Sequence, residues 1–365
     1  MIYPWQADDW NRLQQLRGHW PHALLLHGQA GIGKLRFAQH LAQGLLCEAP
    51  LPNGEPCGAC AACNWFVQGN HPDYRIVVPE ALAAEAGLAN AANGADDKAE
   101  KADGDEGKKT RTPSKEIKIE QIRGLLDFVG VGSHRGGARV VVLYPAEALN
   151  VAAANALLKT LEEPPAGVVF LMVSARIDRL LPTIISRCRQ WPMSVPTPDT
   201  AAPWLAAQGV EDAAALLAEA GGAPLAALAL ASDENRPLRD WTLKQLAAGA
   251  GCDAFACGEA LQKLPVPLVL GWLQRWMYDL LAQRHRWRAA LFPAGVGRAR
   301  ALRRAGRRQC IRTLSAHRHA PARGRKPSAQ PAARVRGTVH RLSRAVCVSP
   351  QPGSLPSYFI QAKPP

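Results

Sequence analysis

A Gly-rich loop constrains this chain more than any other stretch. Gly28-Gln29-Ala30-Gly31-Ile32-Gly33-Lys34 fits G-x-x-x-x-G-K. In that pattern glycines let the backbone curl its N–H groups around phosphate oxygens, and the lysine adds a charge. Such a loop needs a strand before it and a helix N-terminus after it. The apolar run Ala23-Leu24-Leu25-Leu26-His27 supplies the first. Phe37, Leu41 and Leu45 supply the second, at helical spacing between Lys34 and Leu46. Two groups needed for turnover are missing. Leu35 stands where a Ser or Thr hydroxyl would bind Mg²⁺, and the next core strand, Arg139 to Leu143, ends in Tyr144-Pro145 instead of a metal-holding acid. Glu147, about one turn further on, is not read as a substitute. Gly28, Gly31, Gly33 and Lys34 are thus candidate cofactor-binding residues of a vestigial phosphate loop. Hydrolysis is not expected, and binding without turnover stays open.

The rest of the chain alternates strands and helices. Tyr74 to Val78 reads as a strand, Ile117 to Val129 as an amphipathic helix, and Val168 to Val173 as a third core strand. Asn150 caps a helix over residues 151–162 that Pro164-Pro165 closes. This alternation predicts a parallel α/β sheet. After Pro196 the sequence turns Ala/Leu-rich and helical, with breaks at Gly221-Gly222 and around Asp233 to Pro237. Residues 80–115 are low in complexity, rich in Ala, Gly, Asp, Lys and Glu, and read as a disordered insertion.

Four of the nine cysteines crowd into one segment as Cys47-x₉-Cys57-x₂-Cys60-x₂-Cys63. Soft thiolates at this spacing, with Gly54, Pro56 and Gly58 to turn the chain, point to a closed structural Zn²⁺ site without catalysis. Redox thiols and an iron–sulfur cluster are the weaker alternatives. The remaining cysteines, Cys188, Cys252, Cys257, Cys310 and Cys347, read as ordinary ones. No stretch approaches the roughly 18 apolar residues of a membrane span. Met1-Ile2-Tyr3-Pro4-Trp5-Gln6 lacks a basic region followed by an apolar core, so a cytoplasmic location is the expectation.

The net charge of +14 would ordinarily indicate nucleic acid. Its distribution does not. From Arg284 onward there are 19 Lys+Arg and no Asp or Glu, which leaves residues 1–283 with a net charge of −5. Residues 284–365 read as a basic, disordered or non-native tail, the composition an out-of-frame reading of a GC-rich gene produces. A basic RNA-binding arm is the alternative.

The run Ala152-Ala153-Ala154-Asn155-Ala156-Leu157-Leu158-Lys159-Thr160-Leu161-Glu162-Glu163-Pro164-Pro165, followed by Ser186-Arg187-Cys188, resembles the AAA+ clamp-loader family. The four clustered cysteines resemble that family's zinc module, and His71-Pro72-Asp73 is similar to a step in it. The likeness covers Tyr3 to about Leu281. It implies an α/β AAA+ domain (a RecA-like parallel sheet with the P-loop NTPase fold) over 1–195, with the zinc module at 47–63. It further implies a helical lid over 196–235 and the start of an α-helical collar domain over 236–283. Within the family, an eroded second strand beside an intact Ser-Arg-Cys motif implies a non-hydrolysing stator subunit of a bacterial DNA polymerase III clamp loader. Arg187 would then be its catalytic contribution, an arginine finger offered in trans to a neighbour's ATP. The resemblance implies gamma/tau and delta subunits as partners in a hetero-pentamer, with a sliding clamp and primed DNA reached through the complex. The family's lid places an Arg near Gly221-Gly222-Ala223-Pro224-Leu225-Ala226, and here there is none.

Two other functions compete. An ATP-hydrolysing gamma/tau-like subunit is opposed by Leu35 and Tyr144-Pro145. A zinc-dependent nucleic-acid-binding module is opposed by the acidic body and by the absence of an aromatic–basic cluster around residues 47–63.

Overall fold

A computed structural model describes residues 1–85, 113–134, 136–248 and 252–284. The described residues form two compact units. One comprises Met1–Gln208 with Gly222–Ala226; the other comprises Gly209–Gly221 and the residues from Ala227 onward. The basic tail after residue 284 lies outside the described residues.

The first unit is built on a five-stranded sheet in the order β2-β3-β4-β1-β5, all parallel. The strands are β1 (Ala23–His27), β2 (Tyr74–Val77), β3 (Arg139–Leu143), β4 (Val168–Ser174) and β5 (Arg189–Pro192). This is the α/β core the sequence predicted. The continuous apolar runs of β1, β3 and β4 follow from burial on both faces. Alternate residues go to opposite sides. Leu24, Leu26, Val140, Val142 and Leu171 pack with Trp10, Leu13, Phe37 and Leu41 from helices α1 (Ala7–Gln14) and α2 (Lys34–Leu46). Leu25, Val141, Leu143, Phe170 and Met172 face the opposite layer, made by the Ile119–Gly130 and Val151–Glu162 helices through Ile122, Leu125, Leu157 and Leu161. Asn150 caps the latter helix as expected, its side chain accepting from Ala153 N at 2.8 Å.

The predicted disorder at 80–115 fails at both ends. Helix α4 (Glu80–Glu85) packs Leu82 and Ala83 into the first core layer. Ala81 N donates to Ser114 O at 3.0 Å, Ser114 N donates to Glu80 Oε2 at 3.0 Å, and Lys118 pairs with Glu80 at 2.7 Å. The two ends of the insertion are thus stitched together by a backbone hydrogen bond and by the Glu80 carboxylate. Residues 86–112 lie outside the described residues.

The β2–β3 edge carries a buried ion pair that the sequence reading did not single out. Asp73 and Arg139 meet at 3.1 Å with both side chains about 2% exposed. Asp73 also accepts from His134 N at 3.0 Å and Ser133 Oγ at 3.3 Å. Arg139 donates further to the carbonyls of Phe128, Val131 and Gly132 and lies over the Phe128 ring. Burial raises the Asp73 carboxyl, but the His134 N–H and then Arg139 outweigh it and hold it below its ordinary value.

In the second unit, Leu246, Cys257, Leu261, Val269, Trp272, Leu273 and Trp276 form a helical core from the Arg236–Ala247, Ala254–Leu261 and Val266–Arg284 helices. Buried Arg239 pairs there with Glu219 at 2.6 Å. Among the described residues no single helix is long and apolar enough to cross a membrane.

Removing one partner of a buried pair strands the other charge, at a cost of about 3–5 kcal/mol. Arg139→Met is therefore expected to lower the urea midpoint of the first unit sharply. Because the Asp73 pKa is depressed on folding, its contribution is present above the unfolded value of about 3.9 and is lost as pH falls through the folded one. The stability gap between wild type and Asp73→Asn should narrow on acidification, and a constant gap from pH 7 to pH 3 would overturn this account.

Candidate functional site

The four clustered cysteines converge. Cys47 follows the last residue of α2, and Cys60 is the N-cap of α3 (Ala61–Val67). Together with Cys57 and Cys63 their sulfurs lie within 4.8 Å of one another. The closest separations are 3.5 Å for Cys47–Cys57, 3.8 Å for Cys47–Cys60 and 4.0 Å for Cys57–Cys63. Four sulfurs held tetrahedrally at about 2.3 Å from a zinc ion would stand about 3.8 Å apart. The donor set therefore fits a closed four-coordinate metal site. Backbone N–H groups of Cys57, Cys60 and Cys63 donate to the preceding ligand sulfurs at 3.3–3.4 Å, as thiolates require. No disulfide joins these cysteines. Gly54 and Gly58 adopt positive φ and supply the turns between ligands.

The phosphate loop has its expected place between β1 and α2, with Gly28, Gly31 and Gly33 at positive φ. Its surroundings are protein. Trp5 Nε1 and Gln6 Nε2 both donate to Ile32 O, at 3.0 and 3.1 Å, and Leu225 N donates to Gly31 O at 2.9 Å. A Cβ at Gly33 would run into the Tyr3 ring, one at Gly31 into Ala226, and one at Gly28 into the Met193 carbonyl. Tyr3 stacks on Trp5, and Trp204 meets both edge-on. Lys34 bends back onto its own loop, donating to Gly28 O at 2.8 Å and Gln29 O at 2.6 Å. Burial draws its pKa down to about 8, with Glu147 opposing. Leu35 packs against the core layer of α1 and α2. Where the motif pattern has a metal-binding hydroxyl, this chain has a packing group.

Glu147 was set aside in the sequence reading because of its distance from the strand end. It proves to be near enough to act on both Lys34 and Tyr144. Its Oε1 accepts from Ala175 N at 3.0 Å, just past β4. It tethers the β3 and β4 ends. No sequence signal marked it, since the 3₁₀ turn Ala146–Ala148 that presents it has no pattern of its own.

Arg187 lies elsewhere. It follows the short Pro182–Ile185 helix and Ser186, two residues before β5. Strand β5 runs parallel to β1 with Arg189 opposite Leu24, so Arg187 belongs to the N-terminal end of the sheet. The phosphate loop leaves β1 at the C-terminal end. Those ends are separated by the length of β1, about 15 Å. The side chain is 30% exposed and pairs with Glu162, while Nη1 donates to Thr183 O at 2.8 Å. Next to it Cys188 is buried against Met172 Sδ, and burial pushes its thiol up to about 12. Arg176, Arg179 and Arg189 are exposed, as expected of surface charges.

The sequence was compared with known proteins. The family described as "DNA polymerase III, delta subunit" matches residues 6–196. The chain is 38% identical to DNA polymerase III subunit delta' of Pseudomonas aeruginosa over 77% of each chain. It is 33% identical to the Escherichia coli protein of that name over 78% of this chain and 77% of the relative. DNA polymerase III subunit tau of Salmonella typhimurium is 34% identical, over 47% of this chain and 21% of its own length. Among solved structures, a DNA polymerase III gamma subunit-related protein of Thermotoga maritima is similar at 15% identity. That match covers 92% of this chain and 99% of the other, with a TM-score of 0.42. With the family match spanning more than half its length and a delta' relative matched over three quarters of both chains, this chain belongs to the DNA polymerase III delta-subunit family.

Proposed function

We propose that this chain is a delta-prime-type stator of a bacterial DNA polymerase III clamp loader. It does not hydrolyse ATP itself and serves a neighbouring subunit's ATP through Arg187. The observation that carries this reading is the position of Arg187 at the end of the sheet opposite its own phosphate loop. An arginine there cannot reach a phosphate held by the same chain, but it can be offered to one held next door. Arginine supplied in trans stabilises the charge that develops during phosphoryl transfer.

The chain's own loop fits that division of labour. Its lysine is turned inward onto the loop's own carbonyls, and Leu35 gives Mg²⁺ nothing to bind. The gamma/tau-like alternative would need a metal-binding hydroxyl in place of Leu35 and an acid in place of Tyr144-Pro145, and the tau relative covers under half of this chain. On this reading the partners are gamma/tau and delta subunits in a hetero-pentamer that acts on the sliding clamp and primed DNA in the cytoplasm. The zinc ion held by Cys47, Cys57, Cys60 and Cys63 would crosslink the segment between α2 and α3 and supply no chemistry.

Three outcomes are expected. Purified protein should carry one zinc per chain by metal analysis. Cys60→Ser should lose it and lower the thermal midpoint, because structural zinc contributes directly to folding; less than half an equivalent in gently purified wild type would count against the site. The isolated chain should release no phosphate from ATP above background, with or without Leu35→Thr, and magnesium-dependent turnover by wild type would refute the non-hydrolysing reading. In a reconstituted loader, Arg187→Ala should assemble normally yet lower clamp- and DNA-stimulated ATPase. The loss should be smaller than the roughly 10³–10⁵ of single-site trans fingers, since other sites keep their own. Arg187→Lys should restore little, lacking the planar fork.

A further inference from the structure

We infer that Glu162 is the positioning residue for Arg187. This rests on the reading of Arg187 as a finger for a neighbour's phosphate. The guanidinium is held by its own subunit from two sides. Nη2 pairs with Glu162 Oε1, and Nη1 donates to Thr183 O at 2.8 Å, with a longer 3.4 Å contact to Ser186 Oγ. Ser186 Oγ is itself oriented by Thr183 O at 3.0 Å. Each Nη carries two N–H groups. The two strong contacts take one from each and leave the others for an outside acceptor. Nε is buried without a partner among the described residues, so the usable edge of the fork is the Nη1–Nη2 edge that Glu162 and Thr183 orient.

The placement of Glu162 also argues for such a task. It is the last residue of the Val151–Glu162 helix, where the helix dipole is negative and an acid is locally unfavourable. A basic residue would suit that turn better on helix grounds alone. What the carboxylate gains is the partner 25 residues later in the chain. The pair ties the end of that helix to the turn preceding β5. Half-exposed, it is also weak enough to leave the guanidinium available to a more highly charged anion. Glu162 thus narrows the orientations of a long side chain without competing with phosphate for it, which is what pre-organisation of a trans finger requires.

The test uses reconstituted loader containing full-length Glu162→Gln, Glu162→Asp, Arg187→Ala or the Glu162→Gln/Arg187→Ala double variant. Assembly is checked by size exclusion, and kcat and KM are measured for clamp- and DNA-stimulated ATP hydrolysis. We expect Glu162→Gln to lower kcat about 3- to 10-fold with KM for ATP unchanged, a fraction of the roughly 10²-fold that a 1 Å misplacement costs. Glu162→Asp should recover part of the loss, and the double variant should match Arg187→Ala alone. Wild-type kcat in Glu162→Gln beside a defective Arg187→Ala overturns the inference and spares the finger. A raised kcat overturns it by making Glu162 a restraint. A further loss in the double variant overturns it by assigning Glu162 a role in the helix. Full activity in Arg187→Ala removes the finger reading and this inference together.

Discussion

The parallel pairing of β1 with β4 on one side and β5 on the other is the constraint on which the functional layout depends. A parallel sheet has two chemically different ends, because every strand enters at one and leaves at the other. Loops that follow strands gather at the C-terminal end, and the phosphate loop is there with the turn that presents Glu147. Segments that precede strands gather at the other end, and Ser186-Arg187 is there. Reversing β5 would bring the arginine to its own phosphate loop. Parallel pairing keeps them about a strand length apart, which is the separation the proposed division of labour needs.

Losing a ligand ordinarily leaves a binding loop with unpaired backbone groups and an unneutralised lysine, both costly when buried. Here the lysine is answered internally, by the carbonyls of Gly28 and Gln29. The carbonyls of Gly28, Gln29, Gly31 and Ile32 all accept hydrogen bonds from the protein. The positive φ of Gly28, Gly31 and Gly33 still demands glycine, now because Met193, Ala226 and Tyr3 press on the loop. Packing thus accounts for these glycines, and Leu35 makes a core contact where the motif pattern has a metal-binding hydroxyl.

How much of this was legible in the sequence depended on whether a signal was periodic or pairwise. The three core strands, the Asn150 cap and the cysteine spacing were all readable, because each is fixed by local chemistry over a few residues. Arg139 was not. A basic residue opening an apolar strand looks like a solvated end, and only β2–β3 pairing shows that Asp73 waits 66 residues away. The helix Glu80–Glu85 was hidden for the same reason. Its composition is that of the low-complexity segment it begins, and what orders it is long-range: Leu82 and Ala83 in the core, and bonds to Ser114 and Lys118. The pairing of Arg187 with Glu162 was likewise out of reach, although both residues lay in the motifs that carried the family resemblance.

The cysteine cluster and the phosphate loop look in sequence like two independent ligand sites, yet they stand at opposite ends of one helix. Helix α2 begins at Lys34 and ends at Leu46, about 20 Å later. The segment around its C-terminus is held by Trp10 Nε1 donating to Asn53 O at 3.0 Å, and a Cβ on Gly44 would run into Gly54 O. Its N-terminus is held by Trp5 and Gln6 on Ile32 O. Trp5, Gln6 and Trp10 lie within six consecutive residues that run from the N-terminal 3₁₀ turn into α1. One short amphipathic segment therefore braces both loops through the helix between them. On the proposed reading of Arg187, a metal crosslink at one end of α2 and a loop packed against Tyr3, Met193 and Ala226 at the other would serve a single mechanical end: stiffening the layer that covers one face of the sheet.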